Sequence, residues 1–265
     1  MLWEEMTSGD FAQSVQKSEG VCLLPIGVLE KHGDHLPLGT DMVIASETVK
    51  AAAKKSFATI FPYYFFGQIA EARHVKGTIA PSHRLIMDAI LEMCDEIHRN
   101  GFTKILIVNG HGGNEHFLPF FAQMLPALNR PYAVYTYFVH VLADEQLAAI
   151  QTRAGVTDLG GHAGFAETAL MMYLRPKLVH MDRVKVEESV SMNRLKGLND
   201  RGVFTGFNWY ASYPHHFAGD PSLATAEHGA FLFGMMRDNV AGLIRKIKAD
   251  TVSPALIEEF NGLAR

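Results

Sequence analysis

Lys104-Ile105-Leu106-Ile107-Val108-Asn109 runs directly into Gly110-His111-Gly112-Gly113-Asn114-Glu115. The four central side chains of the first six residues are all apolar and leave no polar face. A strand of that kind is buried on both sides, the setting of a parallel sheet covered by helices. Upstream, Ser82–Asn100 reads as a helix. Leu85, Ile86, Ala89, Ile90, Met93, Cys94 and Ile97 form one apolar stripe at helical spacing. Ser82 can cap its start, and Gly101 can end it in the left-handed conformation. Further back, Val21–Gly27 is a second buried strand. Met42–Lys55 follows as a helix with Thr40 or Asp41 at its N-cap, and Ala58–Phe65 reads as another strand. Downstream, Glu115–Leu128 reads as a helix despite Pro119, and Tyr132–Val139 as a strand. Helices are expected over Gly164–Leu174 and Ala224–Lys248, with loops over the sheet edge across 183–220. The alternation β-α-β-α-β-α-β predicts a layered α/β fold. No internal repeat or linker interrupts it, so one domain is expected over 1–265.

The composition narrows the function. The chain has 265 residues, 48% hydrophobic and 20% charged, with a net charge of −4. A core of ordinary size is available without disulfides. There is no basic footprint, so no nucleic-acid partner is expected. Cys22 and Cys94 fall on apolar faces and read as buried free thiols, which fits a reducing cytoplasm. The segment MLWEEMTSGDF does not read as a signal peptide, and no apolar run approaches ~20 residues, so no membrane span is expected.

Chemistry gathers just after the strands, where parallel sheets bind ligands. Glu30, His32, Asp34, His35 and Asp41 follow the first strand within twelve residues. Glu30 and His32 alternate, so in extended chain both point the same way. Carboxylate and imidazole together suit Zn, Mn or Fe(II). A lone Asp before a helix is usually only a cap, and a lone His usually a surface residue. So many acceptors in one place call for a cation to neutralise them. After the KILIVN strand, His111 is placed as a further ligand. Gly112 and Gly113 can bring backbone N–H groups close to a ligand. The third glycine of a dinucleotide fingerprint is absent, because that position holds Glu115. A third cluster, Gly160-Gly161-His162-Ala163-Gly164-Phe165-Ala166-Glu167, places His162 in a loop and Glu167 in the first turns of a helix.

Five stretches resemble the creatininase (creatinine amidohydrolase) family: LLPIGVLEKHGDHLPLGTD at 23–41, HVKGTIAPS at 74–82, VNGHGGN at 108–114, GGHAGFAET at 160–168 and GDPSLATAEHG at 219–229. The resemblance implies a three-layer α/β/α sandwich, usually assembled as a hexamer, with two divalent ions, Zn and/or Mn or else Fe, at the carboxyl edge of the sheet. Glu30 and His111 resemble ligands of one metal and His32 a ligand of the other, with Asp41 the bridge. Creatininase proper has a glutamate where this chain has Gly113, and the resemblance implies that Glu167 replaces it. His162 matches the histidine that moves protons. Lys31, Asp34 and Gly161 depart from the family's usual residues and point away from creatinine itself.

The expected reaction is hydrolysis of a carbonyl of a small, cyclic amide by metal-activated water. The alternatives are C–C hydrolysis of a cyclic, inositol-derived ketone and a non-catalytic metal- or carbohydrate-binding role. His74, Gly112, Gly113 and Trp209 are candidate substrate contacts. His74 can equally be a satisfied structural histidine. The aromatic segment Gly202–His216 reads either as a pocket wall or as a subunit contact.

Overall fold

The computed structural model describes residues 1–264. Four strands, β1 (Val21–Ile26), β2 (Thr59–Ile60), β3 (Lys104–Asn109) and β4 (Ala133–Phe138), form one sheet. Their order is β2-β1-β3-β4, and every pairing is parallel. The helices are α1 (Ser8–Lys17), α2 (Thr40–Lys55), α3 (His83–Arg99), α4 (Asn114–Met124) and α5 (Asp144–Ala154). They continue with α6 (Phe165–Leu174), α7 (Lys196–Asn199), α8 (Asn208–Ser212), α9 (Ala226–Ala249) and α10 (Val252–Leu263).

The period of two along β1 and β3 divides the core into two layers. Val21, Leu23, Leu106 and Val108 face α2, α6 and α9. Cys22, Leu24, Ile26, Ile105 and Ile107 face α3 and α4. Helices therefore cover both faces, and the α/β/α sandwich is the fold. Lys104, at the start of β3, is buried. Its Nζ donates to the carbonyls of Ile247 and Lys248, both at 2.9 Å, and so satisfies the C-terminal end of α9. Both cysteines are buried and free. Burial pushes the Cys94 thiol up to about 12, so it stays protonated.

Several expectations change. The Ala58–Phe65 strand shrinks to Thr59–Ile60, with a further bridge from Ile26 to Tyr64. Pro62 lacks the N–H that would continue the ladder. The α2 helix starts two residues early, at Thr40, with Gly39 at its N-cap. Asp41 thus lies inside the first turn and does not cap. Glu115–Leu128 ends as an α-helix at Met124 and closes with a 3-10 turn, Leu125–Leu128. Helices α1, α5 and α10 had no counterpart in the sequence reading, and the short helices α7 and α8 interrupt the 183–220 segment expected to be loops. Ser82 does cap α3, its hydroxyl accepting from Leu85 N at 3.3 Å.

The order 2-1-3-4 reverses direction between β1 and β3. From there β1 continues through α2 on one face, and β3 through α4 on the other. Such a switch point leaves a crevice at the carboxyl ends of the strands. Gly27 and Gly110 end the two strands side by side. A Cβ on Gly27 would lie 2.6 Å from Met42 N, and one on Gly110 2.4 Å from the Asp41 carbonyl oxygen. Only glycine at both places lets the first turn of α2 enter the crevice and carry Asp41 into it.

Candidate metal centre

Three segments meet in this crevice. The loop after β1 brings Glu30 and His32, the loop after β3 brings His111, and α2 brings Asp41. All four side chains are buried. The Nε2–H of His111 donates to the Gln68 carbonyl at 2.8 Å. A neutral His111 therefore presents an Nδ1 lone pair, 2.7 Å from Glu30 Oε1 and 3.1 Å from Asp41 Oδ2. Among the described residues, neither of those oxygens has a hydrogen-bond partner. The three atoms converge on one point, which a proton on Nδ1 or a cation fills.

A second convergence lies across Asp41. His32 Nδ1 faces the Glu30 carbonyl at 3.2 Å and donates to it. This turns Nε2 toward Asp41 Oδ1 at 2.9 Å and Glu167 Oε2 at 3.7 Å. The ligand atoms of Glu30, Asp41 and His111, and those of His32, Asp41 and Glu167, each lie within 4.8 Å of one another. Asp41 thus offers one oxygen to each set. Because Gly39 holds the cap position, neither oxygen is spent on the helix start.

The electrostatics fit carboxylates in excess of positive charge. Burial opposes a charge on His32, yet the Asp41 and Glu167 carboxylates outweigh it and raise the imidazole to about 10. Burial likewise opposes a charge on His111, and Glu30 with Asp41 holds it well above its ordinary value. Burial, aided by the Asp41 and Glu30 charges, raises Glu167 to about 7 despite His32. Buried carboxylates grouped in this way attract positive charge, as bound protons or as a metal ion.

His162 sits beside both sets, its ring centroid 4.2 Å from that of His32. It shares a third possible ligand group with Glu30 and His32. However, its Nε2 donates to the Lys31 carbonyl at 2.7 Å, so that nitrogen carries a proton and is not free to ligate. Burial, with the nearby His32, lowers His162 to about 3 and keeps it neutral. With Nε2 anchored, Nδ1 is the ring nitrogen left to exchange a proton.

The structure separates the remaining candidates. Gly112, Gly113 and Trp209 line a cavity of about 840 Å³ that opens onto Glu30, Asp41, His111 and Glu167. His74 does not line it; its Nε2 donates to the Pro214 carbonyl at 2.9 Å and its ring packs on Tyr210. Asp34 pairs with Lys31 and Lys185 at the surface, both at 3.0 Å. The His35 ring meets Thr168 Oγ1 at 3.0 Å. Of the five acceptors after β1, only Glu30, His32 and Asp41 converge. Sequence reasoning gave His216 no role beyond a pocket wall or a subunit contact, but it is buried against Glu30 Oε2. Its spacing carries no signal that could have placed it there.

The creatinine amidohydrolase family model matches residues 4–244. The chain belongs to the creatininase family. It is 27% identical over 192 residues to the creatinine amidohydrolase of Pseudomonas putida, covering 68% of this chain and 74% of that one. It is 27% identical over 233 residues to the mycofactocin precursor peptide peptidase of Mycobacterium ulcerans, covering 84% of each. A solved protein of Bacteroides fragilis described as a creatinine amidohydrolase superposes with a TM-score of 0.73 at 25% identity, over 88% of this chain and 91% of that one. Creatininase structures described as a Mn form and a Zn–Zn form share the fold, at TM-scores of 0.74 and 0.72. The protein is thus a creatininase-family hydrolase. Among the described residues, no helix is long and apolar enough to cross a membrane.

Proposed function

We propose that this creatininase-family chain is a two-metal hydrolase that adds water to the carbonyl of a cyclic amide and breaks its C–N bond. One observation carries the reading: Asp41 turns one oxygen toward Glu30 and His111 and the other toward His32 and Glu167. Glu30, His111 and Asp41 would hold one ion, and His32, Glu167 and Asp41 the other, with Mn or Zn the fitting choices for mixed N/O ligands. Such a pair supplies Lewis acidity and a water of lowered pKa. The chain's own groups do the rest. The glycines at 112 and 113 leave the cavity wall open beside His111. Trp209 offers a flat face to a ring. His162, neutral and anchored through Nε2, takes a proton at its other nitrogen and returns it to the departing nitrogen. A cavity of about 840 Å³ leaves room for substituents beyond a single small ring.

The reading includes one domain over 1–265 and assembly as a homo-oligomer, a hexamer on the family resemblance. Val190, Met192, Val203, Phe204 and Phe207 leave apolar side chains exposed along the segment before α8, in keeping with a subunit contact.

The direct test is removal of metal. Exhaustive chelation is expected to abolish turnover of cyclic amides, and Mn or Zn to restore it. Full activity in rigorously metal-free protein would overturn the proposal.

A pH effect follows from His32. A histidine raised in the folded state adds stability that is complete below about pH 6.5 and lost as the pH rises through about 10. The melting temperature of the metal-stripped protein is therefore expected to fall across that window. His111 acts in the same direction. Ligated imidazoles carry no such proton, so the metal-loaded protein is expected to show a flatter profile. Parallel profiles for the two forms would contradict the assignment.

A further inference from the structure

The last polar contact of Glu30 comes from the cavity wall. The indole Nε1–H of Trp209 donates to His216 Nδ1 at 2.9 Å. An indole N–H only donates, so His216 Nδ1 is the acceptor and its proton sits on Nε2. That Nε2 meets Glu30 Oε2 in a contact shielded from water, with His216 only 2% exposed. The backbone goes out of its way to make this contact. His216 has φ +54°, a conformation that L side chains rarely adopt. On one side His216 N donates to Tyr213 O at 3.0 Å. On the other, Ala218 exchanges two backbone hydrogen bonds with His162, at 2.8 and 2.9 Å. The strained residue is thus clamped between α8 and the loop that carries His162. With Oε2 taken, Glu30 has only Oε1 to offer, the atom beside His111 that lacks a hydrogen-bond partner among the described residues.

We propose that Trp209 and His216 are positioning residues that hold Glu30 as a one-oxygen ligand and wire the substrate-facing wall of the cavity to the metal set of Glu30, His111 and Asp41. Trp209 fixes the tautomer of His216, and His216 fixes the rotation of the carboxylate, as outer partners of metal ligands do. Movement of Trp209 on ring binding is thereby transmitted to one ion and not to the other. The inference rests on Glu30 being a ligand.

The test uses metal-stripped full-length protein carrying Trp3→Phe, which leaves Trp209 as its only tryptophan. Zn, which does not quench through unpaired electrons, is titrated against a chromophoric chelator while indole emission is followed. In this parent, emission is expected to change as the Glu30 set fills. Trp209→Phe, His216→Gln and His216→Asn are then compared. Asn tolerates the positive φ but falls short of Glu30. In all three, affinity at one of two resolved sites is expected to fall about 10–100-fold. The other site stays unchanged, and the emission response is lost in the two His216 variants. Trp209→Phe leaves the His216 backbone intact, so the test survives if a His216 variant fails to fold. Equal weakening of both sites would mean general loosening and would overturn the proposal. Unchanged affinity in the variants, with Glu30→Gln still weakening one site, overturns it alone. If Glu30→Gln itself leaves both sites intact, the ligand reading falls with it.

Discussion

Asp41→Ala is expected to abolish tight binding of both ions and to lower kcat/KM by at least about 1,000-fold, on the order of 4 kcal/mol of transition-state stabilisation. No other candidate ligand has this reach, since Asp41 alone contributes to both sets. Losing an outer partner of a ligand costs about 10–100-fold in affinity. Losing a shared inner carboxylate should exceed that at each site. The fold should survive, because neither Asp41 oxygen caps α2 and both add to the crowding of buried negative charge. Asp41→Asn separates shape from charge: it keeps the volume, and a comparable loss of both ions is expected. Metal content after dialysis and kcat/KM on a panel of cyclic amides are the measurements. Two ions retained at full occupancy in Asp41→Ala would rule out the bridging role.

Glu167→Gln is expected to remove one ion and keep the other. Glu167 Oε2 lies 3.7 Å from His32 Nε2 and accepts from Ala163 N at 2.6 Å. Glutamine preserves length and volume but removes the charge, so the ion beside His32 should bind about 100-fold more weakly or worse. The stoichiometry should fall from two to one, with activity falling alongside. Restoring a carboxylate at the family's other position is not expected to rescue it. A Cβ on Gly113 would lie 2.5 Å from His111 Nε2 and 2.9 Å from the Gln68 carbonyl. The hydrogen bond between those two groups occupies the space, and a glutamate there would displace His111. Two ions at wild-type affinity in Glu167→Gln would mean that the second set lies elsewhere.

The α/β/α fold was legible because β1 and β3 are buried on both faces and cannot hide that in their composition. The α3 stripe was legible for the opposite reason, a strict division into two faces. What failed to show was marginal in its burial. Helix α10 has no fully buried residue and α5 has only Ile150, so their apolar pattern is weak. At the site, the density of acceptors after β1 pointed to the right loop but not to the right members. Asp34 and His35 sit among the others in sequence and are drawn off by Lys185 and Thr168, partners 133 or more residues away. The role of His216 was invisible for the same reason. It lies 186 residues from Glu30, in a turn whose conformation no local pattern announces. In sequence, Gly27 reads as the end of a strand and the glycines after β3 as ligand-facing backbone. In the fold, Gly27 and Gly110 are the clearance that admits Asp41.

The central claim is that one carboxylate joins two metal sets, and diffraction from crystals loaded with Mn or Zn tests it most directly. Anomalous difference maps at the metal edge are expected to show two peaks flanking Asp41, one beside Glu30 and His111 and the other beside His32 and Glu167. A single peak, or peaks that leave Asp41 without a metal on both oxygens, would contradict it.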